Sequence, residues 1–149
     1  MTQLSPHFSL SELTVSAAAS RKGLSNIPTG QALATLTETA KGMERVRALL
    51  GKPITVLSGY RAPAVNAAVG GAKNSAHMTG HAVDFICPGF GSPAQVASFL
   101  AKHLTDFDQM ICEFPPDGWV HIGFGPGKRG QELTARKVNG KTVYTNGIT

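Results

Sequence analysis

The segment HAVDFIC, residues 81–87, holds a carboxylate in the middle of a short apolar run. Ala82, Asp84 and Ile86 alternate with Val83, Phe85 and Cys87, the period of a strand whose successive side chains face opposite ways. An ionised carboxylate flanked by Val83 and Phe85 is costly to bury unless a positive partner meets it. A fold for this chain must therefore bring a cation to Asp84. An arginine satisfies that need, and so does a metal ion.

The chain has only five histidines, and two of them, His77 and His81, fall in SAHMTGHAVD, the stretch that leads into this strand. A third, His121, lies in a second strand-like segment, WVHIGF. Two imidazoles and one carboxylate match the donor set of a catalytic zinc site, which takes three protein ligands and keeps a fourth position free. The layout differs from H-E-x-x-H, where both histidines ride one helix turn. Here His77 and Asp84 converge from a loop and a strand, and His121 comes from a strand far along the chain. Spacing alone leaves a second reading open, in which the histidines are structural and Asp84 pairs with Arg61.

The rest of the chain reads as alternating helices and strands. Ser9 and Glu12 have the spacing of a capping box, which predicts a short helix from Leu10. Leu33, Leu36, Ala40, Met43, Val46 and Leu50 predict an amphipathic helix over about 31–50, ended by Gly51 and Pro53. PITVLSGYR predicts a strand that breaks at Gly59 and leads into a loop holding Arg61. One helical turn is expected near Val65 to Val69. Ser92 and Pro93 open a second helix carrying Val96, Phe99, Leu100 and Leu104. DQMICEF and WVHIGF, joined by PPDG, predict a hairpin. From Gly125 onward the chain is basic and glycine-rich, with KTVYTN as a last edge strand.

That hairpin brings Glu113, at the end of its first strand, toward His121 on its second. A carboxylate there can take a proton from a water whose pKa a bound zinc lowers. Glu113 also fits a solvated strand end. Asp117 is the other carboxylate within reach, but Pro-Asp-Gly is a turn sequence. Arg61 can clamp a substrate carboxylate or steady a developing oxyanion, or stand as the partner of Asp84.

With 149 residues the expected organisation is one domain over 1–149. The net charge of +5 suits an anionic polymer such as cell wall. The basic residues form no long run, so a nucleic-acid partner is not expected. Cys87 and Cys112 make no disulfide framework and read as buried strand residues suited to a reducing compartment. The N-terminal stretch lacks the pattern of a secretory signal, and no run approaches the ~20 apolar residues of a membrane span. The expectation is cytoplasmic synthesis without a signal peptide, and no membrane partner.

SGYR, then S-x-H-x-x-G-x-A-x-D as SAHMTGHAVD, then WVH together strongly resemble the zinc D-alanyl-D-alanine carboxypeptidase family. That family includes the dipeptidases of vancomycin resistance and phage peptidoglycan endopeptidases, and the likeness is to its single-domain, phage-associated branch. It spans residues 54 to 124, with a further likeness in HFSLSEL. The resemblance implies an α+β fold, a small central antiparallel sheet with flanking helices of the D-Ala-D-Ala carboxypeptidase/Hedgehog-like type. It implies a Zn2+ cofactor held by His77, Asp84 and His121, with Arg61 and Ser75 near the substrate. Many relatives carry the acid/base carboxylate three residues before the last histidine; here that position is Gly118, and Glu113 is the favoured substitute. His81 falls where the pattern is free and is expected to be a loop residue or a support for the ligands.

The expectation is a monomeric zinc peptidase that cleaves peptidoglycan stem peptides. It would act on the wall as an endolysin-like endopeptidase or a D,D-carboxypeptidase, after phage-mediated release or as part of a virion. The rival from another class is a non-catalytic wall-binding module on the same scaffold, prompted by the missing carboxylate at Gly118.

Overall fold

The computed structural model describes residues 2–149. Two short strands, β1 (Gln3–Ser5) and β2 (Phe8–Ser9), precede three helices, α1 (Leu10–Leu13), α2 (Ala17–Lys22) and α3 (Gly30–Leu50). Then come β3 (Thr55–Ser58), α4 (Pro63–Ala68), β4 (Ala82–Ile86) and α5 (Pro93–His103). The chain ends in β5 (Gln109–Glu113), β6 (Trp119–Gly123), β7 (Gln131–Val138) and β8 (Lys141–Asn146).

Helix starts follow local chemistry. The Ser9 hydroxyl accepts from the Glu12 backbone and the Glu12 side chain reaches back, the capping box read in the sequence. Ser92 and Gln95 build a second box at α5, with Pro93 in its first turn. The apolar stripe of α3 is buried as expected: Leu36, Ala40, Met43 and Val46 are all inaccessible.

Six strands form one sheet in the order β3-β4-β6-β5-β7-β8. The expected antiparallel sheet is corrected at one pair, because β5 and β7 run parallel. After β6 the chain passes around the start of β5 and enters β7 on its far side. Asp108 pins that passage, accepting from the Arg129 backbone and from both ends of its guanidinium at 2.9–3.1 Å. The mixed α+β architecture agrees with expectation, and KTVYTN is the edge strand β8. β7 lies in the basic, glycine-rich stretch after Gly125, and neither it nor α2 is among the elements expected from the sequence.

The sheet has two unlike faces. Val83, Phe85, Met110, Cys112, Val120 and Ile122 point to one side and are buried with α3 and α5. The alternate residues of the same strands point the other way. Paired positions lie on one face, so the rung Ser58, Asp84, His121, Ile111 and Leu133 crosses five strands on that open side. Cys87 and Cys112 are buried free thiols, and burial raises both. No described helix is long and apolar enough to cross a membrane.

Candidate metal centre

The open face of the sheet is the floor of a cleft of about 880 Å³. Asp84 and His121 are direct cross-strand partners, and His121 Nδ1 lies 2.9 Å from Asp84 Oδ1. His77 reaches the same carboxylate from the loop before β4, its Nε2 3.3 Å from Oδ1. The two imidazole rings meet edge to face at 5.1 Å. Each of the three residues offers one ligand atom, and these atoms lie within 4.8 Å of one another.

The orientation of His77 is fixed from behind. Its Nδ1 donates to the Gly59 carbonyl at 2.7 Å, so Nε2 is the nitrogen that faces Asp84. Gly59 is there of necessity. A Cβ at that position would fall 2.3 Å from the Leu13 carbonyl oxygen, against backbone that cannot give way. The His77 ring is buried, at 2% exposure, so its place is set by packing as well. Burial opposes the charged form of Asp84, but the hydrogen bond from His121 and the nearness of His77 outweigh it and hold the carboxyl well below its usual range. An ionised aspartate between two imidazoles, one with its outer nitrogen already satisfied, suits a divalent cation that takes mixed N and O ligands.

Glu113 stands one step along the hairpin. It pairs with Trp119, as Ile111 pairs with His121, so its side chain shares the cleft face. Burial raises its carboxyl; His121 pulls it down and the Asp84 charge adds to the rise. The Trp119 indole also favours the charged form of Glu113. Asp117 is exposed and does not line the cleft.

Gly118 has a structural reason. A Cβ there would lie 1.7 Å from the Glu113 carbonyl oxygen. This turn has no room for any side chain at that position, carboxylate included.

Arg61 projects from the loop after β3, tied down when its backbone N–H donates to the His77 carbonyl at 3.0 Å. Asn26 clamps the same loop: its amide donates to the Thr14 and Tyr60 carbonyls and its oxygen accepts from the Ala62 backbone. Burial lowers the Arg61 guanidinium, while Asp84 and Glu113 support its charge. Its Nε is buried with no partner, a donor left over at the cleft wall. Ser75 accepts from the His77 backbone at 3.2 Å and stands 3.5 Å from Arg61 Nη2. Arg61 and Ser75 both line the cleft. His81 is outside the three-residue group, its Nδ1 2.7 Å from the Thr79 hydroxyl.

A sequence model of the family described as peptidase M15 matches residues 6–123. The chain belongs to the M15 peptidase family. A curated relative of this M15 chain is the zinc D-Ala-D-Ala carboxypeptidase of Streptomyces albus G, 36% identical over 89 residues. That match covers 58% of this chain and 34% of the relative, so the chain spans about a third of that protein's length. The family resemblance read in the sequence is thereby established. The M15 match ends with β6, and the hairpin of β7 and β8 lies beyond it.

Sequence reasoning missed the contribution of that hairpin to the cleft. Leu133, Lys137, Thr142 and Tyr144 all line it. The alternation of Leu133, Ala135 and Lys137 on one face was the available signal, masked by charged residues on both faces of the strand.

Proposed function

We propose that this protein is a zinc-dependent peptidase that cleaves amide bonds in peptidoglycan stem peptides. The convergence of His77, Asp84 and His121 on the floor of an open cleft, with Glu113 beside them, carries this reading. The zinc carboxypeptidase that shares 36% identity over 89 residues supports it.

His77, Asp84 and His121 would hold the ion. Bound there, zinc supplies Lewis acidity toward a scissile carbonyl and toward an attacking water. Glu113 accepts the proton from that water and passes it to the leaving amine. Its raised carboxyl suits both halves of that task, since a general base works best near the operating pH. Arg61 sets a positive charge against the substrate from the β3 side, and Ser75 keeps the His77 loop and the guanidinium in contact. The place of Glu113 in the cleft favours turnover over wall binding alone, the reading that rested on Gly118.

The finer assignment is an endolysin-like endopeptidase or a D,D-carboxypeptidase acting on the wall as a monomer. Digestion of purified sacculi, followed by mass spectrometry of the released fragments, tests both levels. Chelation with EDTA should stop release and added zinc should restore it. Release that survives exhaustive chelation contradicts the reading.

A further inference from the structure

The cleft does not end at the metal centre. On its open face, Glu113 pairs with Ala135 of β7, and Ala135 pairs with Tyr144 of β8. The next rung on that face pairs Lys137 with Thr142. Ala135 itself is buried, and beside it Lys137, Thr142 and Tyr144 line the cleft, Tyr144 at the sheet edge with 54% exposure.

Three permanently charged cations line this cleft: Arg61, Arg129 and Lys137. Arg129 is committed to Asp108 by a two-point ion pair. Arg61 faces Asp84 and Glu113. Lys137 has no carboxylate within ion-pair distance among the described residues. Its ammonium is nevertheless placed, lying 5.6 Å from the centre of the Phe114 ring and donating to the Thr142 hydroxyl at 3.1 Å. One donor used on a hydroxyl leaves two free.

We propose that the β7–β8 hairpin forms a distal specificity subsite in which Lys137 binds a carboxylate carried by the substrate and the Tyr144 ring packs against the chain beside it. Lys137 lies two inter-strand spacings across the sheet from His121 and four residues along β7 from its rung, about 16 Å in all. An extended peptide covers that distance in about five residues. Arg61 lies on the opposite side of the metal centre; with Arg61 holding the leaving-group side of the substrate, the chain reaching Lys137 is the acyl side of the scissile bond. This inference rests on the peptidase reading for what the cleft binds. The hairpin lies outside the M15 match.

The test uses synthetic stem-type peptides ending in D-Ala-D-Ala, with either glutamate or glutamine five residues to the acyl side of the scissile bond. Binding is measured by calorimetry and turnover by release of the terminal residue, on the zinc-loaded protein. Wild type should bind the glutamate peptide about tenfold more tightly than the glutamine peptide. Lys137→Gln should erase that preference through KM with kcat kept, and Lys137→Arg should restore it. Lys137-dependent binding without hydrolysis supports the subsite and sinks the peptidase reading. Hydrolysis with equal KM for the two peptides, or a Lys137→Gln effect equal on both, overturns the subsite. Absence of binding to either peptide overturns both.

Discussion

His121 Nδ1 and Asp84 Oδ1 face each other at 2.9 Å across one rung of the β4–β6 pair. That contact is set by strand register, and a slip of one residue in either strand would turn its side chain into the apolar core and part the pair. The candidate metal centre is therefore built mainly on paired strands, with only His77 supplied by a loop.

Replacing Asp84 by Asn keeps the shape and removes the charge. Zinc affinity should fall by more than the roughly 100-fold typical of losing a supporting hydrogen bond. Metal analysis after dialysis against micromolar zinc should find the variant empty, while its circular dichroism matches the parent. Full occupancy in the variant would remove Asp84 from the ligand set.

Glu113→Gln should cut turnover by about 10²–10⁴-fold with zinc content unchanged. Asp117→Asn should leave the rate alone, since that side chain is outside the cleft. A base must be ionised to work, and burial raises the Glu113 carboxyl. The acid limb of kcat/KM should therefore lie above the ordinary carboxylate range, with activity lost as pH falls through it. A limb at the ordinary carboxylate value would exclude Glu113.

Gly118→Ala places a methyl against the Glu113 carbonyl and should cost about 1–3 kcal/mol in chemical denaturation. Gly118→Asp should be no better, and it should not raise activity. A more active Gly118→Asp protein would mean that the turn can be rebuilt and that Glu113 is dispensable.

Glu44 ties the N-terminal segment to α3. Its carboxylate accepts from the Ser5 hydroxyl at 2.6 Å, the His7 backbone at 2.7 Å and the His7 ring at 2.8 Å. Burial opposes its charge, but these hydrogen bonds win and lower its carboxyl. A carboxyl lowered by folding stabilises above its unfolded pKa, and that contribution fades as pH falls through the folded value. Glu44→Gln should cost about 1–2 kcal/mol at neutral pH. The gap to wild type should close below the carboxylate range. A gap that is constant with pH would show that charge plays no part.

Much of this was legible in the sequence because it is local. The 3.6-residue stripe of α3, the Ser9 and Ser92 capping boxes and the PPDG turn each declare themselves within a few residues. The conflict of Asp84 with its apolar neighbours marked the centre of the site. What escaped depends on distant pairing. Nothing in QELTARKV says that it lies parallel to DQMICEF, so β7 is not legible in the basic, glycine-rich stretch after Gly125 and neither is the place of Lys137 and Tyr144 in the cleft. The reason for Gly118 was likewise invisible, because it lies in a carbonyl five residues earlier that only the turn geometry brings close.

The central claim is that one divalent cation sits among His77, Asp84 and His121. Anomalous diffraction at the zinc edge, from crystals grown with one equivalent of zinc, tests it most directly. The account predicts a single strong peak bonded to all three side chains, with at least one position open to the cleft. A peak elsewhere, or three side chains turned away from a common point, would contradict it.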